Sequence, residues 1–237
     1  MDFSKETLLV IAPHADDEIL GCFKLIKKIK EQGGKIFVLI ISMDSYEKIG
    51  SDKFSVEQWK SEFLKTASFL DLDGFDFGYF NNSKMLRLDN LPFIDLVNII
   101  ESQTTVSLFK IKPTMIAIPT IFSTHQDHIV VYQSCMTALR IKPQHSHLVV
   151  PTVISYESPE YSSWSGFSEF GQFLPNFYLP MTQIDLDEKI TGLNLYQSQL
   201  RDGHRDKNSL TRLAKTRGAE IGSEFAESYH IHRLYIQ

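Results

Sequence analysis

Positive charge is scarce in this sequence: 24 lysines and arginines face 29 aspartates and glutamates, for a net charge of −5. With a pI near 5.9 there is no electrostatic reason to expect nucleic acid as a partner, since a phosphate backbone wants a basic face. Cysteine is scarcer still. Cys22 and Cys135 form no CxxC pair and read as buried apolar side chains in a reducing compartment, with a disulfide between them left open. Long apolar runs are missing: no segment reaches the ~18 residues that a membrane-spanning helix needs. The run in "MDFSKETLLVIAPH" is too short, and too closely preceded by acids, for a signal peptide. The expectation is a cytoplasmic protein with no membrane span. Internal repeats and low-complexity tracts are also missing, and "GGK" at 33–35 lacks the spacing of a phosphate-binding loop.

What is there is an ordinary globular complement, with 237 residues of which 43% are hydrophobic. That suffices for one large α/β domain with a C-terminal extension. Strand patterns occur at 7–12, 35–42, 75–80, 114–120 and 151–157, and amphipathic helical patterns near 18–31, 56–70, 92–109 and 127–141. Gly33-Gly34 closes the first helix, and Pro113 precedes the fourth strand. This alternation predicts a Rossmann-like, mostly parallel sheet flanked by helices. The chain then divides into a doubly wound core, 1–157, and an extension, 158–237, within a single domain. From 158 to 182 periodicity fades, while seven aromatic rings argue for an ordered excursion. Helices are expected at 186–200 and 209–222, and a late strand in "YHIHRLYI", at a sheet edge.

Chemistry concentrates in two turns. "PHADDE" (13–18) follows the first strand and "STHQDH" (123–128) follows the fourth. In a parallel sheet both turns lie on the carboxyl edge, where open α/β folds bind ligands. A strand order of 3-2-1-4-5 makes strands 1 and 4 neighbours, so His14, Asp16, Asp17 and Glu18 would face His125, Asp127 and His128 across one crevice. Two histidines and a carboxylate are a common catalytic zinc set with one position open. His14 and Asp17 can aim at one point from a tight turn, and His128 supplies the third ligand from the opposite turn. Asp16 is then left to accept a proton. His125 can donate to an oxyanion or a leaving group, and Asp127 can fix a histidine tautomer. The competing reading is plain capping, because acids favour the positive end of a helix dipole.

The two motifs together resemble the paired signature, roughly (P/A)HPDDE and HPDH, of the LmbE-like (PIG-L) zinc-dependent de-N-acetylases. "VLIISM", "YESPE", "PNFYLPM", "IDLDEKITGLNLYQSQL" and "RGAEIGSEFAESYHI" look like family segments in the expected order. The resemblance implies metal ligands at His14, Asp17 and His128, a general base at Asp16, an assisting histidine at His125, and Asp127 as the acid that orients that histidine. It implies Zn2+ as cofactor, with Fe2+ compatible with such a ligand set. The substrate would be a small amino-sugar conjugate of the N-acetylglucosamine type, hydrolysed to acetate and a free amine. Monomer or homo-oligomer stays open. Two alternatives accompany this reading: hydrolysis of a non-sugar amide, and a silent sugar- or nucleotide-binding module.

Departures from the family pattern bear on the substrate. Ala15 stands for the usual proline, and "GCFKLI" lacks a Gly-Gly, placing Phe23 and Lys24 there. The loop after strand 3 reads "FNNSKM", so Asn81 and Asn82 become the candidate sugar contacts, without charge. Lys60 is a weak substitute for a family arginine. His204 and Arg205 are further candidates for substrate binding. Glu18 and Arg217 read as structural. The pairs His145/His147 and His230/His232 are poor metal candidates. Trp164, Phe167, Phe170 and Phe173 can either wall a sugar site or pack as a lid.

Overall fold

The computed structural model describes residues 2–47, 53–141, 149–159, 171–200 and 205–235. Strand β1 (Thr7–Ala12) leads into helix α1 (Asp17–Glu31) and β2 (Lys35–Met43). A short ribbon follows, β3 (Tyr46–Glu47) with β4 (Lys53–Phe54), then α2 (Val56–Phe69) and β5 (Gly74–Phe80). Helix α3 (Phe93–Asn98), a π-helical turn (Ile99–Gln103) and the single turn α4 (Leu108–Ile111) precede β6 (Met115–Pro119), α5 (Gln126–Ala138) and β7 (Thr152–Tyr156). The remainder supplies β8 (Phe177–Met181), α6 (Gln183–Leu193), α7 (Lys207–Ala219) and β9 (Phe225–Leu234).

Among the described residues the main sheet has seven strands in the order β5-β2-β1-β6-β7-β9-β8. The first five in that order are parallel, and they reproduce the expected 3-2-1-4-5 arrangement. β1 lies at the centre, paired with β2 through Leu8↔Ile36 and with β6 through Leu8↔Met115. Its side chains alternate between two cores. Leu8, Val10 and Ala12 face α1, α2 and α6, whereas Leu9 and Ile11 face α3 and α5. All five are fully buried, and each large one stabilises the fold by about 1.5–3 kcal/mol. Cys22 and Cys135 are buried, unpaired thiols in the two different cores, so the sheet separates them.

Glycine is needed where α1 crosses the sheet. A Cβ on Gly21 would lie 2.2 Å from Cδ2 of Tyr156, and the Tyr156 hydroxyl donates to the Ile11 carbonyl at 2.9 Å. Gly33, at φ +90, adopts the left-handed conformation that ends α1.

Three expectations need correction. The late strand begins at Phe225 and lies inside the sheet, antiparallel to both β7 and β8. The edge is instead β8, inside the stretch that lacked periodicity. Pro180 has no amide to donate, which an edge strand tolerates. The helix expected over 186–200 stops at Leu193, and the one over 92–109 is broken by its π-helical turn and by extended backbone at Thr104.

Candidate metal and active site

β1 and β6 are adjacent and parallel, so the turns that follow them meet at the carboxyl edge of the sheet. His14 comes from the first turn, Asp17 from the start of α1, and His128 from the first turn of α5. One ligand atom from each lies within 4.8 Å of the others. Asp17 Oδ2 is 3.3 Å from His128 Nε2 and 3.9 Å from His14 Nδ1, and it also accepts the His14 amide at 3.0 Å. All three side chains are buried. Asp17 Oδ1 is buried with no hydrogen-bond partner among the described residues. A carboxylate oxygen taken out of water and left unbonded is costly. Two converging imidazoles beside it make a donor set that fits a divalent ion. Burial alone would raise the Asp17 pKa, but the neighbouring His128, then His14 and Arg205, hold it well below the usual carboxylate range. The Asp17 carboxyl is therefore anionic.

Asp127 reaches His14: its Oδ2 accepts from His14 Nε2 at 2.9 Å. It also accepts the amides of Leu86 (2.8 Å) and Leu88 (3.1 Å). Burial opposes its charge, and the His14 hydrogen bond outweighs that, lowering its pKa. A His14 proton held on Nε2 leaves the Nδ1 lone pair, 3.9 Å from Asp17 Oδ2, available to an ion. His125 is the N-cap of α5, and its Nδ1 accepts the Asp127 amide at 3.1 Å. Its neutral form thus carries the proton on Nε2. Burial, reinforced by His14 and His128, pushes its pKa down to about 3, so near neutral pH His125 is an uncharged N–H donor. The three imidazole rings form a triangle with centroids 5.0, 5.5 and 5.4 Å apart.

Asp16 is fully buried beside these groups, at φ 117 and ψ −23. It occupies the N-cap position of α1, yet its side chain makes no capping bond. Arg205 Nη1 donates to Asp16 Oδ2 at 2.9 Å. Glu18 accepts the Asp16 amide at 3.0 Å and the Tyr196 hydroxyl at 2.6 Å. Burial raises the Glu18 pKa to about 7, against the hydrogen bond from Tyr196.

Asn81 and Asn82 are exposed just beyond β5, on the loop that continues to Leu86 and Leu88 and thus rims the site. Arg205, expected among substrate contacts, is buried with its guanidinium paired to Asp16. Lys60 sits over the Phe80 and Phe77 rings, 4.9 and 5.9 Å from their centroids. Phe173 is buried beneath the Arg217 guanidinium at 5.9 Å. His204, His145, His147, Trp164, Phe167 and Phe170 lie outside the described residues. The His230 and His232 rings are tilted by 55°, with centroids 4.9 Å apart. Among the described residues every metal-competent group of three contains His14. Tyr196 was missed by the sequence reading; its only signal was its place in a family-like segment.

Several solved structures share the fold. The conserved protein TT1542 from Thermus thermophilus superposes with a TM-score of 0.72 at 20% identity, over 98% of this chain and 97% of that one. An N,N'-diacetylchitobiose deacetylase from Pyrococcus horikoshii gives 0.69 at 18%, over 95% and 83%. GalB, a 4-carboxy-2-hydroxymuconate hydratase from Pseudomonas putida, gives 0.68 at 16%, over 98% of both chains. Likeness at these identities shows the fold alone. No curated protein matches the sequence. Residues 9–139, more than half of the chain and both motifs with it, match the PIG-L family, described as GlcNAc-PI de-N-acetylase, and the chain belongs to that family.

Proposed function

We propose that this protein is a metal-dependent de-N-acetylase that releases acetate from an N-acetylglucosamine-type conjugate. The observation that carries the reading is the convergence of His14, Asp17 and His128 on one buried point, with the partnerless Asp17 Oδ1 there and Asp16 beside it. Zn2+ is the ion we assign, with Fe2+ compatible with the same donors. His14, Asp17 and His128 would hold the ion, which would supply Lewis acidity for the acetamide carbonyl and for water. Asp16 takes a proton from the attacking water and returns it to the departing amine, so the proton count closes over one turnover. His125 offers its Nε2–H to the oxyanion, a role that its uncharged state suits. Asp127 keeps His14 in the ligating tautomer.

The amino-sugar substrate is supported by the family description and by the disaccharide named for the Pyrococcus structure. Asn81 and Asn82 are the sugar contacts we assign on the rim, together with His204. The cytoplasmic setting and the single domain spanning 1–237 are part of the same proposal. A non-sugar amide is the second reading, favoured by one observation: the rim after β5 presents neutral asparagines. An acetate-release screen over acetamido sugars and simple acetamides, run with the wild type and Asp16→Asn, tests both. Acetate from sugar conjugates with the wild type alone supports the first reading. Acetate from simple acetamides alone moves the assignment to the second. Equal turnover by Asp16→Asn would overturn the mechanism.

A further inference from the structure

Asp16 is held in a backbone conformation that an L-residue with a side chain rarely adopts, at φ 117. Such a conformation is strained and persists only where its surroundings over-determine it. Glycine would relieve the strain, so the position keeps a carboxylate at that cost. What over-determines it comes from far along the chain. The Asp16 amide is taken by Glu18 Oε2 at 3.0 Å, and the other Glu18 oxygen is held by the Tyr196 hydroxyl at 2.6 Å. The Asp16 carboxylate is taken by Arg205 Nη1 at 2.9 Å.

Both distant residues are anchored. Tyr196 is fully buried. Arg205 immediately precedes the N-cap of α7, where the Asp206 carboxylate accepts the Ser209 amide at 2.7 Å and the Ser209 hydroxyl accepts the Asp206 amide at 3.1 Å. Both also lie beyond residues 9–139, the span matched by the family. We propose that Arg205, and Tyr196 acting through Glu18, are positioning residues that hold Asp16 by its carboxylate and its backbone, so that the C-terminal extension completes the reaction centre. A guanidinium bonded to one carboxylate oxygen fixes the side-chain torsions and therefore the direction of the other oxygen. The inference deepens the functional reading, because it matters for turnover only if Asp16 moves the proton.

The test compares Arg205→Ala, Arg205→Lys and Tyr196→Phe with the wild type, on kcat, KM, zinc stoichiometry and melting temperature, with and without added guanidinium ion. A displacement of the base by about 1 Å is expected to lower kcat about 100-fold. KM and zinc stoichiometry should hold, and guanidinium ion should restore part of the kcat of Arg205→Ala. Arg205→Lys and Tyr196→Phe should fall between, and they decide the matter if Arg205→Ala does not fold. Wild-type turnover by Arg205→Ala overturns the proposal. So does a loss of activity that tracks zinc content and melting temperature and resists guanidinium. A crystal structure of Arg205→Lys or Arg205→Ala reads the same claim without catalysis: the Asp16 carboxylate should leave its present position. An Asp16 carboxylate left unmoved refutes it. Should the wild type release no acetate from any acetamide, the functional reading fails, and that crystal structure still decides whether Arg205 positions Asp16.

Discussion

Helix α1 touches two sets of buried charges, and they are built differently. Midway along it, Glu227 accepts from Lys189 Nζ at 2.6 Å, from the Lys24 amide at 2.8 Å, and from the Tyr229 hydroxyl. Next to it, Asp185 is bonded by Lys24 and Lys27 at 2.8 and 2.9 Å and by the Thr182 amide. Each acid there has a cation and a full complement of donors. At the N-terminus of the same helix, Asp16, Asp17 and Glu18 are all at 0% exposure. Asp17 keeps an oxygen with no partner among the described residues, and burial dominates at Glu18. Saturated pairs hold chain segments together. The undersupplied cluster has capacity left for a positively charged ligand.

The largest effect expected from breaking this contrast is at the saturated set. Glu227→Ala would strand a buried Lys189 and cost about 3–5 kcal/mol of stability in denaturant unfolding, while zinc affinity stays at the wild-type value. Lost zinc with unchanged stability would erase the distinction. A smaller effect belongs to the other set. Asp127→Asn should weaken zinc binding by about 10–100-fold in chelator competition, because His14 loses the partner that fixes its tautomer. An unaltered affinity would remove Asp127 from the account.

The smallest effect is in acid. Burial works against the charge on Asp185, but Lys24, the Thr182 amide and Lys27 together hold its pKa well below the usual carboxylate range. A carboxyl depressed in the fold adds stability above its unfolded pKa, about 3.9, and loses it as pH falls further. Asp185→Asn should therefore flatten the decline of unfolding free energy below about pH 4, and parallel curves would contradict the pairing.

Much of the sheet was legible because β1, β2, β6 and β7 are short apolar runs between helical periods, and their order follows from connection rules. β8 was not, since Pro180 and scattered aromatics hide a strand that needs neighbours on one side only. The convergence of the two motifs followed from topology. The partner of Asp127 did not, because His14 and His125 are equally near in pattern and only side-chain direction separates them. Arg205 on Asp16 was beyond reach too, since nothing local marks a guanidinium that folds back onto a turn 189 residues earlier.

The most direct measurement is a crystal structure of zinc-loaded protein with anomalous data at the zinc edge. The account predicts one strong peak within bonding distance of His14 Nδ1, an Asp17 oxygen and His128 Nε2, with His14 Nε2 still on Asp127. A peak that omits Asp17, or protein that takes up no zinc, would contradict it.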